Sequence, residues 1–446
     1  MSEPTTPSAA GDAPIRGSQR RAVSALTFAY FVGFAGVVVY GPVAAEFESV
    51  LGLSGVLLGL LVAAPQLTGS LLRIPFGAWV DDVGSTKPFA ILLGLSAVGM
   101  GGLLVILLTA YPNLSMVHYP MIFLFGSLSG CGIAAFSVGI VDISYWYRSE
   151  RRGTMLAVFA GLGTTSPGIF TIIAPFALLT LGLTGTYAAW FVFLLVGTAI
   201  FLVFAVDSPY FQYRERGLDD DEAKRRAAAD GQELFPSGDA LESITHAATI
   251  RRSWLLTAMF FVSFGGYLAL TVWYPSYWHN LYGLDLQTAG IVTALTFTLL
   301  SPLFRVCGGA ISDRVGGEVT TMVSFGLVAL STLALVSTRD LTLAIAATVA
   351  LGAGLGIASA AIYQLLPTYV PDAVGGASGL VGGLGGFGGF VVPPVLGLFV
   401  DVYGVDGYAH GFVVYLALGI LALALAASLY RSSEFEPVGT AVPADD

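Results

Sequence analysis

Long apolar segments recur along almost the whole chain of 446 residues, and they constrain its fold more than any other feature. A helix rises about 1.5 Å per residue, so about 20 apolar residues are needed to cross the hydrocarbon core of a bilayer. The chain therefore predicts an all-α membrane protein with twelve transmembrane helices. The predicted helices are 23–45, 53–80, 88–110, 120–146, 153–180, 186–206, 253–276, 287–312, 319–337, 341–369, 374–400 and 408–430.

Composition supports the bilayer as the surrounding solvent. Hydrophobic residues make up 55% of the chain and charged residues only 11%, whereas an ordinary soluble protein carries about 25% charged residues. The lipid bilayer is thus an expected partner. No basic patch with interleaved aromatic residues is present, which argues against nucleic acid as a partner.

A polar stretch at 207–252 divides the twelve predicted helices into two sets of six. We therefore predict an N-terminal tail, a first six-helix half, a cytoplasmic linker, a second six-helix half and a C-terminal tail. Their predicted bounds are 1–22, 23–206, 207–252, 253–430 and 431–446.

The distribution of basic residues predicts the orientation in the membrane. With both termini in the cytoplasm, all but three of the 19 lysines and arginines lie on the cytoplasmic side, as the positive-inside rule requires. Of the three, Arg73 and Arg305 lie within helices and Arg339 lies outside. We expect a multi-pass protein of the cell membrane, and we expect it to be monomeric.

One sequence pattern occurs in both halves at a constant offset of 232 residues. Arg73, Gly77, Asp81 and Gly84 at the end of the second helix match Arg305, Gly309, Asp313 and Gly316 at the end of the eighth. Parallel repeats of this kind are typical of transporters built from two homologous halves. We assign the glycines and aspartates of this pattern a structural and gating role.

The two repeated arginines lie several residues inside apolar helices. An arginine at the bilayer centre costs roughly 2.5 to 3.5 kcal/mol on insertion scales, so two in equivalent places need a reason. Snorkelling to the interface or pairing with a buried acid would be structural reasons. No acid lies near the middle of any predicted helix, and Asp142 is the deepest. Arg73 and Arg305 therefore predict a central site for a small anion, because guanidinium groups bind planar oxyanions through paired hydrogen bonds.

Other chemistries have little support in the sequence. Cys131 and Cys307 both lie in apolar runs, and we predict them to be small core residues rather than a disulfide or metal ligands. The membrane helices contain no arrangement of nucleophile and base, so we expect neither an enzyme nor a cofactor or metal. The glycine-dense run 375–389 permits close helix packing and, equally, the approach of a small substrate.

Nearly the whole chain resembles the nitrate/nitrite porter branch of the major facilitator superfamily. The resemblance rests on Arg-Ile-Pro-Phe at 73–76, on Phe-Arg-x-x-Gly-Gly-x-x-Ser-Asp-Arg at 304–314 and on the glycine run 379–390 with Pro393. The segments 136–137 and 142–147 are similar to the Phe-rich part of the family's fourth helix. The Gly-x3-Asp-x2-Gly spacing resembles the superfamily's signature loop.

The resemblance implies the major facilitator fold and a central site in which two arginines bind nitrate or nitrite and aromatic rings clamp it. On matching positions the predicted binding residues are Arg73, Arg305, Phe136, Tyr267, Tyr363, Gly163, Thr164 and Gly385. Two positions depart from the family: Tyr363 stands where Phe is common, and Thr164 stands where Asn usually follows Gly-x-Gly. The second departure leaves the anion open between nitrate, nitrite and another small anion such as formate, oxalate or a short carboxylate.

The expected mechanism is alternating access, in which 23–206 rocks against 253–430 around the anion. Two unpaired guanidinium groups are costly to reorient when the site is empty, which favours exchange of nitrate for nitrite. Proton symport is the alternative, and Asp142 is then the candidate proton carrier. A non-transporting anion sensor is a weaker alternative, because the linker and tails are too short for an output domain.

Overall fold

In the computed structural model, which describes residues 14–236 and 240–435, every regular element is a helix. Eleven continuous segments within these ranges are long and apolar enough to cross a membrane. They are Gln19–Leu51, Gly55–Val83, Thr86–Ala110, Tyr119–Trp146, Ser149–Phe204, Arg251–Tyr282, Leu286–Val315, Gly317–Ser337, Leu341–Tyr369, Val374–His410 and Phe412–Arg431.

The fifth of these segments supplies two crossings. Ser149–Phe204 has 56 residues, which at 1.5 Å per residue is about 84 Å, almost three times the hydrocarbon thickness. The backbone breaks at Gly182, whose φ of 68° and ψ of 178° favour glycine over all other residues. The described chain thus has twelve spans, which we number 1 to 12 in chain order, with span 5 at 149–181 and span 6 at 183–204. The predicted twelve-helix fold is confirmed.

The bounds of the individual helices differ from the spans where a span is bent. In the first half the α-helices are Gln19–Phe34, Ala44–Leu51, Gly55–Leu71, Arg73–Val83, Thr86–Ala110, Tyr119–Ser129, Ala135–Trp146, Ser149–Gly163 and Ser166–Phe204. In the second half they are Arg251–Phe260, Gly266–Tyr282, Leu286–Thr293, Leu300–Val315, Gly317–Ser337, Leu341–Tyr369, Val374–Leu380, Gly388–Tyr403, Gly407–His410 and Phe412–Phe435. Three short helices lie between the halves: Pro209–Glu215, Asp220–Ala229 and Ala240–Thr249.

Spans 7, 8 and 11 each contain one π-helical turn, at Phe261–Gly265, Ala294–Thr298 and Val381–Gly385. Spans 1 and 4 instead contain 3-10 turns, at Ala35–Val38 and Cys131–Ala134. Such turns rotate the side chains that follow them relative to a regular α-helix, and π-helical turns are frequent at functional sites.

With twelve spans, span 1 begins and span 12 ends on the same side of the membrane as the linker between spans 6 and 7. We call this side the linker side and the other the far side. On the far side the halves are in close contact. A Cβ atom on Gly55 of span 2 would lie 2.3 Å from the carbonyl oxygen of Gly397 in span 11. Gly290 of span 8 packs as tightly against Thr171 of span 5. Only glycine permits such contacts between backbones.

One packing prediction is wrong. Cys131 is buried, as expected, but Cys307 is exposed on the outside of span 8. An apolar run in a membrane helix has a face toward lipid as well as a face toward the protein, and composition alone does not distinguish them.

Candidate functional site

A cavity of about 860 Å³ lies between the two halves. Its mouth on the linker side is lined by Arg152, Phe235 and Ser243, and its deep end is formed by Arg73 and Arg305. Because the far side is closed by the contacts described above, the two arginines are reached from the linker side alone in this conformation.

Arg73 is held at the inner end of the cavity by spans 2 and 11. The residue is buried, with only 1% of its surface exposed. Its Nε donates a hydrogen bond to the carbonyl oxygen of Gly69, at 3.2 Å, and its Nη1 donates to that of Gly382 in the other half, at 3.1 Å. Its Nη2 has no hydrogen-bond partner among the described residues, so one donor remains for a ligand.

Arg305 occupies the equivalent place in span 8 but is only partly buried. Its guanidinium carbon lies 5.5 Å from the ring centroid of Phe264 and 5.7 Å from that of Tyr363. The ion pairs among the described residues include neither Arg305 nor Arg73. The acid-paired alternative is thereby excluded for the described residues, and the deep end of the cavity keeps the two positive charges of Arg73 and Arg305.

The ring of Phe264 joins the two arginines, and sequence reasoning missed it. The guanidinium carbon of Arg73 lies 5.1 Å from the centroid of this ring, and that of Arg305 lies 5.5 Å from it. Each cation thus interacts with the negative face of the same aromatic ring. The sequence could have identified Phe264, because it precedes Tyr267 by one helical turn and both rings therefore lie on one face of span 7.

The three predicted clamp residues all line the cavity. The ring of Phe136 lies 5.3 Å from the guanidinium carbon of Arg73. Tyr267 is buried against Phe297, and its hydroxyl donates a hydrogen bond of 3.1 Å to the carbonyl oxygen of Thr298. Tyr363 faces Arg305. The structure thus brings the predicted rings together around the arginines, and whether they clamp an anion stays a prediction.

The small residues predicted at the site occupy two kinds of position. Thr164 lines the cavity, but its hydroxyl donates a hydrogen bond to the carbonyl oxygen of Ala160 in its own helix. Gly163 and Gly385 are not among the cavity-lining residues. A Cβ on Gly163 would meet the ring of Tyr30, and one on Gly385 would meet Phe260. In this structure Gly163 and Gly385 permit close packing of the helices, and contact of these glycines with the anion stays a prediction.

Tyr30 of span 1 is a second residue that sequence reasoning missed. It is fully buried, and its ring packs against Phe136 at 5.4 Å between centroids. Its hydroxyl lies beside Thr164 and within electrostatic range of both arginines, yet it makes no hydrogen bond of normal geometry. No sequence signal separates this tyrosine from other aromatic residues of span 1.

The repeated glycine and aspartate pattern lies at the linker-side ends of spans 2 and 8. Asp81 accepts a hydrogen bond from the hydroxyl of Tyr145, and Asp313 accepts one of 2.7 Å from Nε2 of Gln364. Each aspartate therefore ties its helix to another span of the same half. The pattern's remaining residues are Gly77 and Gly309, which line the cavity, and Gly84 and Gly316, whose φ angles are 79° and 97°.

Solved structures of similar fold are transporters. The chain superposes on the xylose transporter XylE from E. coli, in a partially occluded inward-open conformation, with a TM-score of 0.70, 15% identity and coverage of 95% of this chain and 99% of that one. It superposes on a bacterial homologue of the human lysosomal transporter Spinster, in an inward-facing conformation, with a TM-score of 0.68, 17% identity and coverage of 95% and 100%. These likenesses establish the fold.

Sequence relatives are named as nitrate and nitrite transporters. The "Probable nitrate/nitrite antiporter NarK1" of Thermus thermophilus is 28% identical over 83% of this chain and 82% of its own length. The "Probable nitrate/nitrite transporter NarK2" of Mycobacterium tuberculosis is 27% identical over 86% and 89%. The "Nitrite extrusion protein" of Bacillus subtilis is 24% identical over 82% of each chain.

These relatives confirm the resemblance that the sequence motifs predicted, and they are transporters rather than enzymes. The family model of the Major Facilitator Superfamily matches residues 26–371 and 293–443, which together span nearly the whole chain. The twelve described spans and the transporter folds of the solved structures agree with this match. The chain belongs to the major facilitator superfamily.

Proposed function

We propose that the protein exchanges nitrate for nitrite across the membrane by alternating access. The observation that carries this proposal is the pair of arginines without acidic partners, Arg73 and Arg305, at the closed end of one cavity. Nitrate and nitrite are small planar oxyanions, and guanidinium groups bind such anions through charge-assisted hydrogen bonds. Nitrate and nitrite are also the substrates in the names of two relatives, which supports the proposal independently of the site geometry.

The positive-inside rule identifies the linker side with the cytoplasm, so we infer that both termini are cytoplasmic and that the described conformation is open to the cytoplasm. Rocking of 23–206 against 253–430 would open the far side and close the linker side. Close backbone contacts of glycines, such as Gly55 against Gly397 and Gly290 against Thr171, help to close the far side in this conformation.

Exchange follows from the charge of the empty site. Two guanidinium groups without counter-ions are unfavourable in a site closed on both sides, because the desolvation of each is not offset by an opposite charge. A bound anion reduces the net charge and makes the closed intermediate accessible. The acid Asp142 is buried in span 4 and is not among the cavity-lining residues, which favours exchange over proton symport.

One observation favours a second candidate, a carrier of another small anion such as formate. The hydroxyl proton of Thr164 is already donated to its own helix, so span 5 offers the anion no free donor where related porters have an amide. Selection among small planar anions would then depend mainly on the arginines, which discriminate weakly by shape.

The test is anion flux in proteoliposomes. Vesicles containing the purified protein are loaded with nitrite, and labelled nitrate is added outside, with and without an inward proton gradient. We expect uptake that requires internal nitrite or nitrate and that, at nitrate concentrations below the wild-type KM, is strongly reduced in Arg73→Lys and in Arg305→Lys. Arg339→Lys is the matched control, because Arg339 is exposed and paired with Asp406 at 3.1 Å.

Each alternative predicts a different result. Uptake driven by a proton gradient without internal anion would replace exchange by symport. Uptake of formate but of neither nitrate nor nitrite would support the second candidate. Normal flux in both arginine variants would contradict the anion site itself.

A further inference from the structure

Spans 2 and 11 meet along an antiparallel seam that runs from the arginine site to the far side. Gln66, Ser70 and Arg73 are spaced by four and three residues, so they lie on one face of span 2. A glycine of span 11 lies opposite each of them. The opposing pairs are Gln66 with Gly389, Ser70 with Gly386, and Arg73 with Gly382.

The polar side chains of this seam have nothing to bind in the described conformation. Gln66 and Ser70 are both fully buried. Neither the oxygen nor the nitrogen of the Gln66 amide has a hydrogen-bond partner among the described residues, and neither does the Ser70 hydroxyl. Burying three such polar groups without partners within a membrane protein is unfavourable, and it calls for a reason outside this conformation.

We expect the reason to lie in the opposite conformation, which is open to the far side. Opening the far side separates span 2 from span 11, which breaks the bond from Arg73 to Gly382 and uncovers Gln66 and Ser70. Gln66 then lies about 10 Å beyond Arg73 toward the far side, since a helix rises about 1.5 Å per residue. The bare glycine surface opposite them leaves room for a small ligand between the helices.

We propose that Gln66 and Ser70 form an outer anion subsite, one to two helical turns beyond Arg73, that receives a small planar oxyanion from the far side. The Gln66 amide and the Ser70 hydroxyl donate hydrogen bonds to the anion, which then moves one to two helical turns inward to the two arginines. This subsite rests on the proposed anion transport. It makes the two entry routes chemically different, because the linker-side cavity approaches Arg305 without passing Gln66 or Ser70.

The test separates the two directions of transport. Half-saturating nitrate concentrations are measured in right-side-out and in inverted membrane vesicles for wild type, Gln66→Leu, Ser70→Ala and the double variant. We expect the KM for nitrate entering from the far side to rise about tenfold in the double variant, and the KM from the linker side to change less than twofold. Thr68→Val is the matched control, because the Thr68 hydroxyl donates to the carbonyl oxygen of Ser127 within the same half.

A second measurement does not depend on the variants' flux. Gln66→Leu removes an amide that has no partner in the linker-side-open state, so the purified variant should unfold at a higher temperature than wild type. A lower unfolding temperature would mean that the amide has a structural partner in this state and would overturn the proposal.

A third measurement uses thiol labelling. Ser70→Cys, with Cys131 and Cys307 replaced by alanine, should react with a membrane-impermeant thiol reagent from the far side and be protected by nitrate.

The failures are distinguishable. If wild type moves neither nitrate nor nitrite, the proposed function fails. If wild type transports normally but the KM of the double variant is unchanged, or rises equally on both sides, the outer subsite is refuted while the proposed function stands. Labelling of Ser70→Cys that nitrate does not slow would likewise refute the subsite.

Discussion

Arg73 and Arg305 occupy the same place in the two halves, 232 residues apart, yet their surroundings differ. Arg73 is buried and bonded to backbone oxygens of both halves. Arg305 is partly exposed to the cavity and contacts aromatic rings of its own half, Phe264 and Tyr363. The repeat therefore places two identical side chains in surroundings that differ in burial and in hydrogen bonding.

This difference assigns the arginines different tasks. The hydrogen bond from Arg73 to Gly382 requires contact between spans 2 and 11. We therefore expect it to form when the far side is closed and to break when the far side opens. Arg305 makes no such bond to the described residues and lines the cavity that opens to the linker side, where an entering anion would meet it. We expect substitutions of Arg305 to act mainly on affinity, and those of Arg73 to act also on the rate of conformational change.

The largest effect is expected for Arg305→Lys. An ammonium group cannot form the parallel pair of hydrogen bonds or the planar stack that guanidinium forms. Losing one charge-assisted hydrogen bond costs about 1.5 to 3 kcal/mol, so the KM for nitrate from the linker side should rise about 10- to 100-fold. Flux in inverted vesicles measures it, with Arg339→Lys as control. An effect on maximal rate at unchanged KM would contradict the assigned role.

Arg73→Lys should give a smaller rise in KM, about tenfold, together with a changed maximal rate. Lysine does not reproduce the two bonds to Gly69 and Gly382 at once, so the far-side seam loosens and the equilibrium between the two conformations shifts. Measuring KM and maximal flux in both vesicle orientations tests this. If the profile equals that of Arg305→Lys, the asymmetry between the two arginines has no functional meaning.

Phe264→Leu tests the ring that both arginines share. A cation–π contact is worth about 0.5 to 2 kcal/mol, so we expect a KM about five- to tenfold higher from either side. The effect should shrink when Phe264→Leu is combined with Arg305→Lys, because the guanidinium contact of Arg305 with the ring is then already removed and only that of Arg73 remains. Phe325→Leu is the control, since Phe325 is equally buried but does not line the cavity. Additive effects would argue against the shared ring.

The spans and the two arginines were predictable because each leaves a one-dimensional signal. Hydropathy identifies the spans, and a constant offset of 232 residues aligns Arg73 with Arg305. Even the break at Gly182 fell between the predicted helices 153–180 and 186–206. Such signals depend only on order along the chain.

The partners of these residues were not predictable, because they depend on how each helix is rotated. The π-helical turn Phe261–Gly265 contains Phe264 and alters the face that span 7 turns to the cavity. Hydropathy does not report such a turn. The contact between Arg73 and Gly382 joins residues 309 positions apart in different halves, so no local pattern encodes it.

The smallest effect is expected at the outer end of the seam, and it separates the closing of the far side from the stability of span 2. Asp401 of span 11 accepts hydrogen bonds from the backbone nitrogens of Gly55, at 2.5 Å, and Val56, at 2.9 Å. Its carboxylate thus caps the N-terminus of a helix in the other half, an interaction worth about 1 kcal/mol. Asp401→Ala should therefore shift the equilibrium about fivefold toward the far-side-open state.

Ser54→Ala is the matched variant, because the Ser54 hydroxyl caps the same helix from within its own half by accepting from the backbone nitrogen of Leu57. It should lower stability by a similar amount without changing the equilibrium between conformations. The readout is the rate at which Ser70→Cys is labelled from the far side in each background. Faster labelling with Asp401→Ala alone would mean that the cap holds the far side closed in the same way as Arg73. Equal labelling in both variants would mean that the cap stabilises span 2 and nothing more, which would leave Arg73 as the polar residue that links the seam to the anion site.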